Sequence, residues 1–248
     1  MDSMTGQNVV VIGGSRGIGR AIVRSTRAEG ASVLAVARTA ASLTELCNTT
    51  PSLTTLALDA TNETAPDAVF AAMTPDVLVI CAGALAAEAP LHDQSWADFS
   101  ANWDTDVKAS FLFCQAALRA PLKPGTRVVL ISSGAAFSGG PPFAGGYAGA
   151  KSMQIFLAGH CQKESDRLGL GLRFMALAPM LIMPGTGVGD GGIQGYVAYT
   201  GLKAADFLAN MPERMTPEDV GQAVVALATG QPQGSAFKVA GNGLAQAA

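Results

Sequence analysis

The stretch that decides the fold of this 248-residue chain is residues 9–19, Val9-Val10-Val11-Ile12-Gly13-Gly14-Ser15-Arg16-Gly17-Ile18-Gly19. Its four apolar residues predict a buried strand, and a glycine-rich turn leads from that strand into a helical pattern. Gly13 allows a tight turn, Gly17 lets a phosphate approach the backbone, and Gly19 permits close helix packing. Because free N–H groups at a helix start attract anions, the turn predicts a dinucleotide pyrophosphate site. Its residues are Gly13, Ser15, Arg16, Gly17, Ile18 and Gly19.

Short apolar runs alternate with longer helical segments along the rest of the chain. Each run is apolar on both faces, which is typical of a parallel sheet covered by helices on both sides. We therefore predict the α/β fold class, with a doubly wound (Rossmann) parallel sheet of about seven strands in a single domain over residues 1–248. The predicted strands are residues 9–12, 32–37, 54–58, 77–81, 127–132, 172–177 and 236–239.

Three helical segments and one long connection matter most for function. Residues 95–118 and 148–168 have helical spacing, and Thr216 and Pro217 predict the N-cap and first residue of a later helix. Residues 185–214 break the alternation, beginning with a cluster of glycines before a helical pattern. A long connection at the carboxyl edge of a sheet is usually a binding loop. This segment is therefore predicted to be a substrate lid.

Composition narrows the class of protein. The formal net charge is −3 and only 14% of residues are charged, so neither nucleic acid nor a membrane surface is an expected partner. The first residues lack the basic and apolar regions of a secretion signal, so a cytoplasmic location is expected. The four cysteines show no CxxC spacing and only two histidines occur, so we expect reduced thiols and no metal site.

Two arginines indicate which dinucleotide binds. An NAD-specific site carries Asp or Glu near the end of the second strand, where this chain has Arg38. Arg38 and Arg16 could both pair with a ribose 2′-phosphate, which favours NADP(H) over NAD(H). The alternative is that both are ordinary surface arginines.

The ends of the third and fourth strands predict the adenosine site. Asp59, followed by Ala60, could accept a hydrogen bond from the adenine amino group, or could simply cap a turn. Small residues after the fourth strand would leave room for the adenine ribose. These are Cys81, Ala82 and Gly83.

The candidate catalytic groups are Tyr147, Lys151 and Ser133. Tyr147 and Lys151 are four residues apart in a helical segment, so they share one helix face. The fifth strand ends in Ser132-Ser133, which brings a serine hydroxyl to the carboxyl edge of the sheet. The tyrosine–lysine spacing is common by chance, but it carries weight beside a strand-end serine and the glycine turn.

These motifs together resemble the short-chain dehydrogenase/reductase family in its single-domain form. The resemblance covers residues 7–243, and its motifs stand in the family's order. It implies an NADP(H)-dependent oxidoreductase that interconverts a ketone or aldehyde and an alcohol by hydride transfer, as a carbonyl reductase or an alcohol dehydrogenase. The motifs are the glycine turn, Asp59, Cys81-Ala82-Gly83, Ser133, Tyr147 with Lys151, and Pro179.

The resemblance also implies a role for each site residue. Tyr147 would be the general acid or base, and the Lys151 cation would ease its ionisation. Lys151 would also bind the nicotinamide ribose, and Ser133 would hydrogen-bond the substrate oxygen. Backbone near Pro179 and Ile182 would hold the nicotinamide carboxamide.

Several residues depart from the family pattern. Asp106 stands where the family usually has an asparagine that completes a water relay to the lysine, which makes it a further catalytic candidate, and it places a negative charge near Lys151. Cys81 and Met180 replace a usual asparagine and glycine. The Ser133–Tyr147 interval is one residue longer than expected, which leaves Ser132 as an alternative. A non-catalytic NADP-binding regulatory protein, and a dehydratase or epimerase, are therefore the competing interpretations.

Substrate and assembly are less clearly indicated. A pocket lined by apolar side chains would suit a ketone or secondary alcohol of modest polarity, although these residues could equally be core. The family implies a homotetramer or dimer, with Phe113, Phe156 and Phe237 as possible interface residues. The expected pocket residues are Phe137, Phe143, Met180, Met183, Tyr196 and Tyr199.

Overall fold

A computed structural model describes residues 3–86, 89–120, 122–138, 140, 142–211, 214–241 and 243–247. Residues 212 and 213 of the predicted lid lie outside the described residues. The sheet has eight strands in the order β3-β2-β1-β4-β5-β6-β7-β8. They are β1 Asn8–Ile12, β2 Ser32–Ala37, β3 Thr54–Ala57, β4 Val77–Ile80, β5 Arg127–Ile131, β6 Arg173–Pro179, β7 Ala236–Ala240 and β8 Gly243–Gln246.

The predicted α/β class and parallel sheet are confirmed. Strands β1 to β7 pair in parallel, and only β8 runs antiparallel, against β7. The eighth strand was not predicted, because its four residues are all exposed and carry no buried apolar run. Chain order reverses between β1 and β4, which is where a ligand cleft opens in such sheets.

Helices cover both faces of the sheet, which explains the unbroken apolar strands. Val9 and Val11 pack into one core cluster, whereas Val10 and Ile12 pack into the cluster on the opposite face. Both faces are therefore buried, as side-chain alternation along a strand requires. The helices are α1 Gly17–Ala28, α2 Ala40–Thr49, α3 Ala65–Ala72, α4 Trp96–Asn102, α5 Lys108–Arg119, α6 Ala135–Ser138, α7 Gly145–Leu168, α8 Gly187–Thr200, α9 Ala204–Ala209 and α10 Pro217–Thr229.

The helix predicted over residues 95–118 is interrupted. A π-helical turn over Trp103–Val107 separates α4 from α5, and Asp106 lies fully buried within it. Such turns often occur at functional sites. The helix predicted over 148–168 begins earlier, at Gly145.

Two further predictions are settled by the fold. Thr216 caps α10 as expected: its hydroxyl accepts from the Asp219 N–H, and the Asp219 carboxylate accepts from the Thr216 N–H. Phe113 and Phe237 are buried in the monomer core, so the prediction that they form an interface is wrong, whereas Phe156 is 60% exposed. No helix in the described part of the chain is long and apolar enough to cross a membrane.

Candidate active site

A cleft of about 390 Å³ lies at the carboxyl edge of the sheet, where β1 and β4 diverge. Its walls include most of the residues predicted from sequence. Of the predicted catalytic and cofactor-binding residues, only Ser133, Pro179 and Ile182 are not among the residues that line it. Those that do are Gly13, Ser15, Arg16, Gly17, Ile18, Gly19, Arg38, Asp59, Ala60, Cys81, Ala82, Gly83, Asp106, Tyr147 and Lys151.

The glycine turn has the shape that a pyrophosphate requires. Gly13 has a φ of +86°, and a Cβ there would lie 2.7 Å from the backbone nitrogen of Ala82. A Cβ at Gly19 would clash with the carbonyl oxygen of Gly13. The N-cap of α1, Arg16, makes no side-chain capping hydrogen bond, so the first N–H groups of the helix are left for an anion. The turn therefore fits a dinucleotide phosphate.

The end of the cleft predicted to bind adenosine carries two exposed cations. Arg16 and Arg38 line it, and neither forms an ion pair with a described residue. Thr39 and Ser42, at the start of α2, also line this end and were not predicted. The sequence could have indicated them, because both lie within four residues of Arg38.

Asp59 already has partners within its own turn. Its Oδ1 accepts from the Thr61 N–H at 2.9 Å and from the Thr61 hydroxyl at 2.8 Å. These hydrogen bonds hold the pKa of Asp59 below its ordinary value, with smaller help from Arg38 and Lys108. The carboxylate therefore caps the turn, as the alternative interpretation expected, while lining the cleft.

Lys151 lies at the centre of the site and is surrounded by three protein oxygens. Its Nζ is 2.9 Å from Asp106 Oδ2, 3.0 Å from Gln154 Oε1 and 3.2 Å from the Ile131 carbonyl oxygen. Asp106 Oδ2 makes no aligned hydrogen bond within the described residues, so its contact with Lys151 is a charge pair. The ammonium has three N–H donors and makes two of these contacts as hydrogen bonds, so one donor remains for a ligand.

The lysine belongs to a closed ring of buried polar groups. Gln154 Nε2 donates to Ser110 Oγ at 2.9 Å, and Ser110 Oγ donates to the Asp106 carbonyl oxygen at 2.7 Å. All four side chains are buried. This ring ties α7 to the π-helical turn and α5, and fixes the position of the ammonium.

The buried charges act on one another. Burial of Lys151 acts to lower its pKa, but the Asp106 carboxylate and then Tyr147 outweigh that effect, so the pKa of Lys151 is raised. Burial also raises the pKa of the Cys81 thiol to about 11, with Lys151 opposing and Asp106 adding to the increase. The lysine is therefore charged and the thiol neutral near neutral pH.

Asp106 also joins its helical segment to the loop after β4. Its Oδ1 accepts from the Ala84 N–H at 2.8 Å, and Asn102 Nδ2 donates to the Ala84 carbonyl at 2.9 Å. A Cβ at Gly83 would lie 2.8 Å from Asp106 Oδ2, so glycine is needed for this close approach. Asn102 and Asp106 thus form a bridge between the helical segment and the loop.

Tyr147 stands one turn before Lys151 on α7 and is only 8% exposed. The Lys151 ammonium lies 5.5 Å from the centre of the phenol ring. The Tyr147 hydroxyl forms no hydrogen bond with any residue that the structure describes. The phenol lines both the cleft and a smaller recess beside it. A phenol hydroxyl that reaches the cleft without a protein partner, on a ring near a cation, suits proton exchange with a ligand.

The two strand-end serines take different positions. Ser132 lines the cleft, and its hydroxyl donates to the Lys151 carbonyl oxygen at 2.8 Å. Ser133 does not line the cleft, and its hydroxyl accepts from the Ala135 N–H at 3.2 Å, at the start of α6. Successive side chains along an extended chain point in opposite directions, which separates the two hydroxyls.

The six apolar residues expected to form the substrate pocket lie elsewhere. None of the six predicted residues lines the cleft or the recess. Phe143 packs against Tyr199, and Tyr196 stacks on Phe207. These aromatic side chains therefore pack with one another in and around the lid. Within the described residues, no group of three potential His, Cys, Asp or Glu ligands could hold a metal ion.

The order of strands and the cleft at the β1–β4 reversal define a Rossmann-type protein. Residues 7–190 match the family model described as short chain dehydrogenase. A Brucella melitensis protein described as short-chain dehydrogenase/reductase SDR:Glucose/ribitol dehydrogenase shares the fold, with a TM-score of 0.79 and 20% identity over 96% of both chains. The chain belongs to the short-chain dehydrogenase/reductase family, which implies a nicotinamide cofactor.

Curated relatives match part of the chain. The protein named Short chain dehydrogenase/reductase AacuD, from Aspergillus aculeatus, is 30% identical over 183 residues, covering 71% of this chain and 63% of that protein. L-xylulose reductases from Bos taurus and Mesocricetus auratus are 26% and 27% identical over 129 residues. That match covers 52% of this chain and 53% of each reductase, so the chain spans about half to two thirds of the length of these relatives.

Proposed function

We propose that the protein is an NADP(H)-dependent oxidoreductase that interconverts a ketone or aldehyde and an alcohol. The observation that carries the proposal is Tyr147, a largely buried residue that lines the cleft with its ring centre 5.5 Å from the Lys151 ammonium and its hydroxyl unbonded to any described residue. The nicotinamide cofactor supplies or accepts the hydride when it is bound. The chain supplies the site, the orientation of the reactants and the proton.

Tyr147 is the proposed general acid of carbonyl reduction and the base of alcohol oxidation. Its hydroxyl gives a proton to the substrate oxygen in one direction and takes it back in the other. Lys151 favours this exchange through its charge, because a cation near a phenol stabilises the phenolate. Ser110, Gln154 and Asp106 are positioning residues that hold the ammonium in place.

One of the two strand-end serines is proposed to bind the substrate oxygen. Ser133 is the residue predicted from the family motif, whereas Ser132 lines the cleft but donates its hydrogen to Lys151. Replacing each by alanine separates them. If Ser133 acts on the substrate, Ser133→Ala lowers kcat while Ser132→Ala chiefly lowers stability. The reverse pattern assigns the role to Ser132.

The remaining cofactor contacts follow the sequence motifs. Gly13 to Gly19 are proposed to hold the pyrophosphate, and Arg16 and Arg38 to hold the 2′-phosphate. Asp59, Ala60 and the small residues after β4 are proposed to surround the adenosine. Pro179 and Ile182 remain the predicted contacts of the carboxamide.

The test of catalysis is reduction of a panel of ketones and aldehydes with NADPH, with NADH in parallel. Tyr147→Phe should lower kcat by about 10² to 10⁴ while leaving the Kd for NADPH unchanged, because general acid catalysis contributes about that factor. Retention of activity in Tyr147→Phe would remove the tyrosine from the mechanism.

A non-catalytic NADP-binding regulatory protein is the second candidate. The observation that favours it is the ion pair between the Asp106 carboxylate and Lys151. The family resemblance implies that this lysine binds the nicotinamide ribose. NADPH binding measured by calorimetry, with no turnover of any carbonyl compound, would support this alternative.

We also propose that the chain forms a homo-oligomer. Phe111 on α5 is 48% exposed and Phe156 on α7 is 60% exposed, and such apolar side chains favour burial against a second copy. Light scattering should report a dimer or tetramer, and Phe156→Glu should shift it toward the monomer. A wild-type monomer would contradict the proposal.

A further inference from the structure

A narrow apolar recess opens beside Tyr147, beneath the lid helix α8. Its volume is about 30 Å³, against about 390 Å³ for the cleft that it adjoins. Among the described residues around it, Tyr147 is the only one with a polar side chain. The lining residues are Leu85, Ala86, Pro142, Ala144, Tyr147, Gly187, Val188, Gly191, Gly192 and Gly195.

The lid helix forms its side of the recess mainly from backbone. Gly187, Gly191 and Gly195 are four residues apart, so they share one face of α8. Two polar side chains near the start of α8 are already used. Thr186 Oγ1 bonds Met183 O and the Gly189 N–H, and Asp190 Oδ1 accepts from the Gly185 N–H. Neither therefore serves a ligand in the recess.

The phenol of Tyr147 is an independent sign of a ligand. The residue is 8% exposed and borders both the recess and the cleft, and its hydroxyl makes no hydrogen bond to any described residue, so it is open to a ligand. A ligand oxygen would satisfy the hydroxyl. The atoms next to that oxygen would then meet only glycine backbone and apolar side chains.

We infer that the substrate is a slim, apolar ketone or the matching secondary alcohol, and this inference rests on the proposed function. The carbonyl oxygen meets Tyr147, and an unbranched apolar group enters the recess. A hydroxyl on the carbon beside the carbonyl would be buried there without a partner, which is unfavourable. Polyhydroxy ketones are therefore poor substrates, although two relatives are named L-xylulose reductase.

A matched pair of ketones tests this directly. 2-Pentanone and L-xylulose share one carbon skeleton with the carbonyl at the same position, and they differ only in hydroxyl groups. We expect kcat/KM with NADPH to be higher for 2-pentanone by on the order of 10², the discrimination typical of an apolar pocket against a hydroxyl. Equal or better turnover of L-xylulose overturns the inference while leaving the proposed reductase intact.

Two variants of α8 test whether 2-pentanone binds through the recess. Gly192 lines the recess, and a Cβ there would have only Ile182 Cδ1 within 4 Å, at 3.8 Å, so Gly192→Leu adds bulk at the wall of the recess without its Cβ striking the backbone. Ala198→Leu adds the same side chain on an exposed position of α8 and is the control. We expect KM for 2-pentanone to rise at least about tenfold in Gly192→Leu and to be unchanged in Ala198→Leu.

Direct binding separates this inference from the proposed function. Saturation-transfer NMR detects 2-pentanone bound to the wild-type chain without turnover. Binding to the wild type but not to Gly192→Leu, with no carbonyl compound reduced, supports the recess and contradicts the reductase. Absence of binding to the wild type, or equal binding to both proteins, overturns the recess. Circular dichroism checks that the variants fold. If the leucine variant does not fold, the smaller Gly192→Ala variant takes its place in the binding measurement.

Discussion

The two sides of the cleft are constructed in opposite ways. On the cofactor side, charged and polar groups are held by one another, as in the buried ring of Asp106, Lys151, Gln154 and Ser110. On the lid side, α8 offers glycine backbone with no polar side chain toward the recess. The first side can recognise a ligand by directed hydrogen bonds, and the second only by shape and lack of polarity. Substitutions should therefore have different consequences on the two sides.

The largest effect should follow from breaking the buried ion pair. Asp106→Leu leaves the Lys151 ammonium buried without its counter-charge, which should lower the free energy of unfolding by about 3–5 kcal/mol. Urea unfolding followed by circular dichroism measures it. Asp104→Leu, an exposed position in the same π-helical turn, should cost about 1 kcal/mol or less. Equal losses in the two variants would show that the pair has no special role.

The same pair should make stability depend on alkaline pH. The pKa of Lys151 is raised in the folded state, so its contribution is fully present below its ordinary value of 10.5 and is lost as pH rises through the folded pKa. The wild type should therefore exceed Asp106→Asn in stability at neutral pH. That difference should shrink above pH 10.5, and unfolding measured across this range checks it.

Gly19→Ala should have the next largest effect on the cofactor side. The new Cβ would run into the Gly13 carbonyl oxygen, and overpacking of this kind costs about 1–3 kcal/mol. Because the clash displaces the turn that faces the phosphates, the Kd for NADPH should rise as well. Thermal unfolding and calorimetric titration measure the two effects. Unchanged affinity would show that the turn does not hold the pyrophosphate.

The contrast between the two sides also explains what sequence could predict. The glycine turn and the Tyr147–Lys151 pair are local patterns, and their combination with a strand-end serine was enough to predict the site whose cleft they line. Gln154 and Ser110 were missed because they meet only when α7 packs against α5. The lid aromatic residues were misjudged because apolar character does not reveal whether a side chain faces a ligand or another ring. Which of Ser132 and Ser133 faces the cleft depends on the alternation of side chains at the end of the strand. A shift of one residue reverses the answer, so the sequence left both open.

Cofactor preference should change by a smaller factor. Arg38→Asp combined with Arg16→Ala removes the two cations at the adenosine end, and the ratio of kcat/KM for NADPH over NADH should fall about ten- to a hundredfold. Arg24→Ala is the control, because Arg24 lies on α1 outside the cleft and bonds only Thr49. An unchanged ratio in the double variant would mean that neither arginine reads the 2′-phosphate.

The smallest effect should be of opposite sign, and it lies on the lid side. Gly192 lies within α8. A Cβ there would contact only Ile182 Cδ1, at the van der Waals distance of 3.8 Å. Alanine is favoured over glycine inside a helix by about 0.5–1 kcal/mol, so Gly192→Ala should stabilise the protein by up to that amount. The same Gly→Ala change thus weakens the protein at position 19 and strengthens it at position 192. The stability of the lid is then lower than the helix could reach, and the cost is explained if the recess that Gly192 lines is kept open for substrate. A destabilised Gly192→Ala protein, measured by thermal unfolding, would mean that this glycine is required by packing and not by the recess.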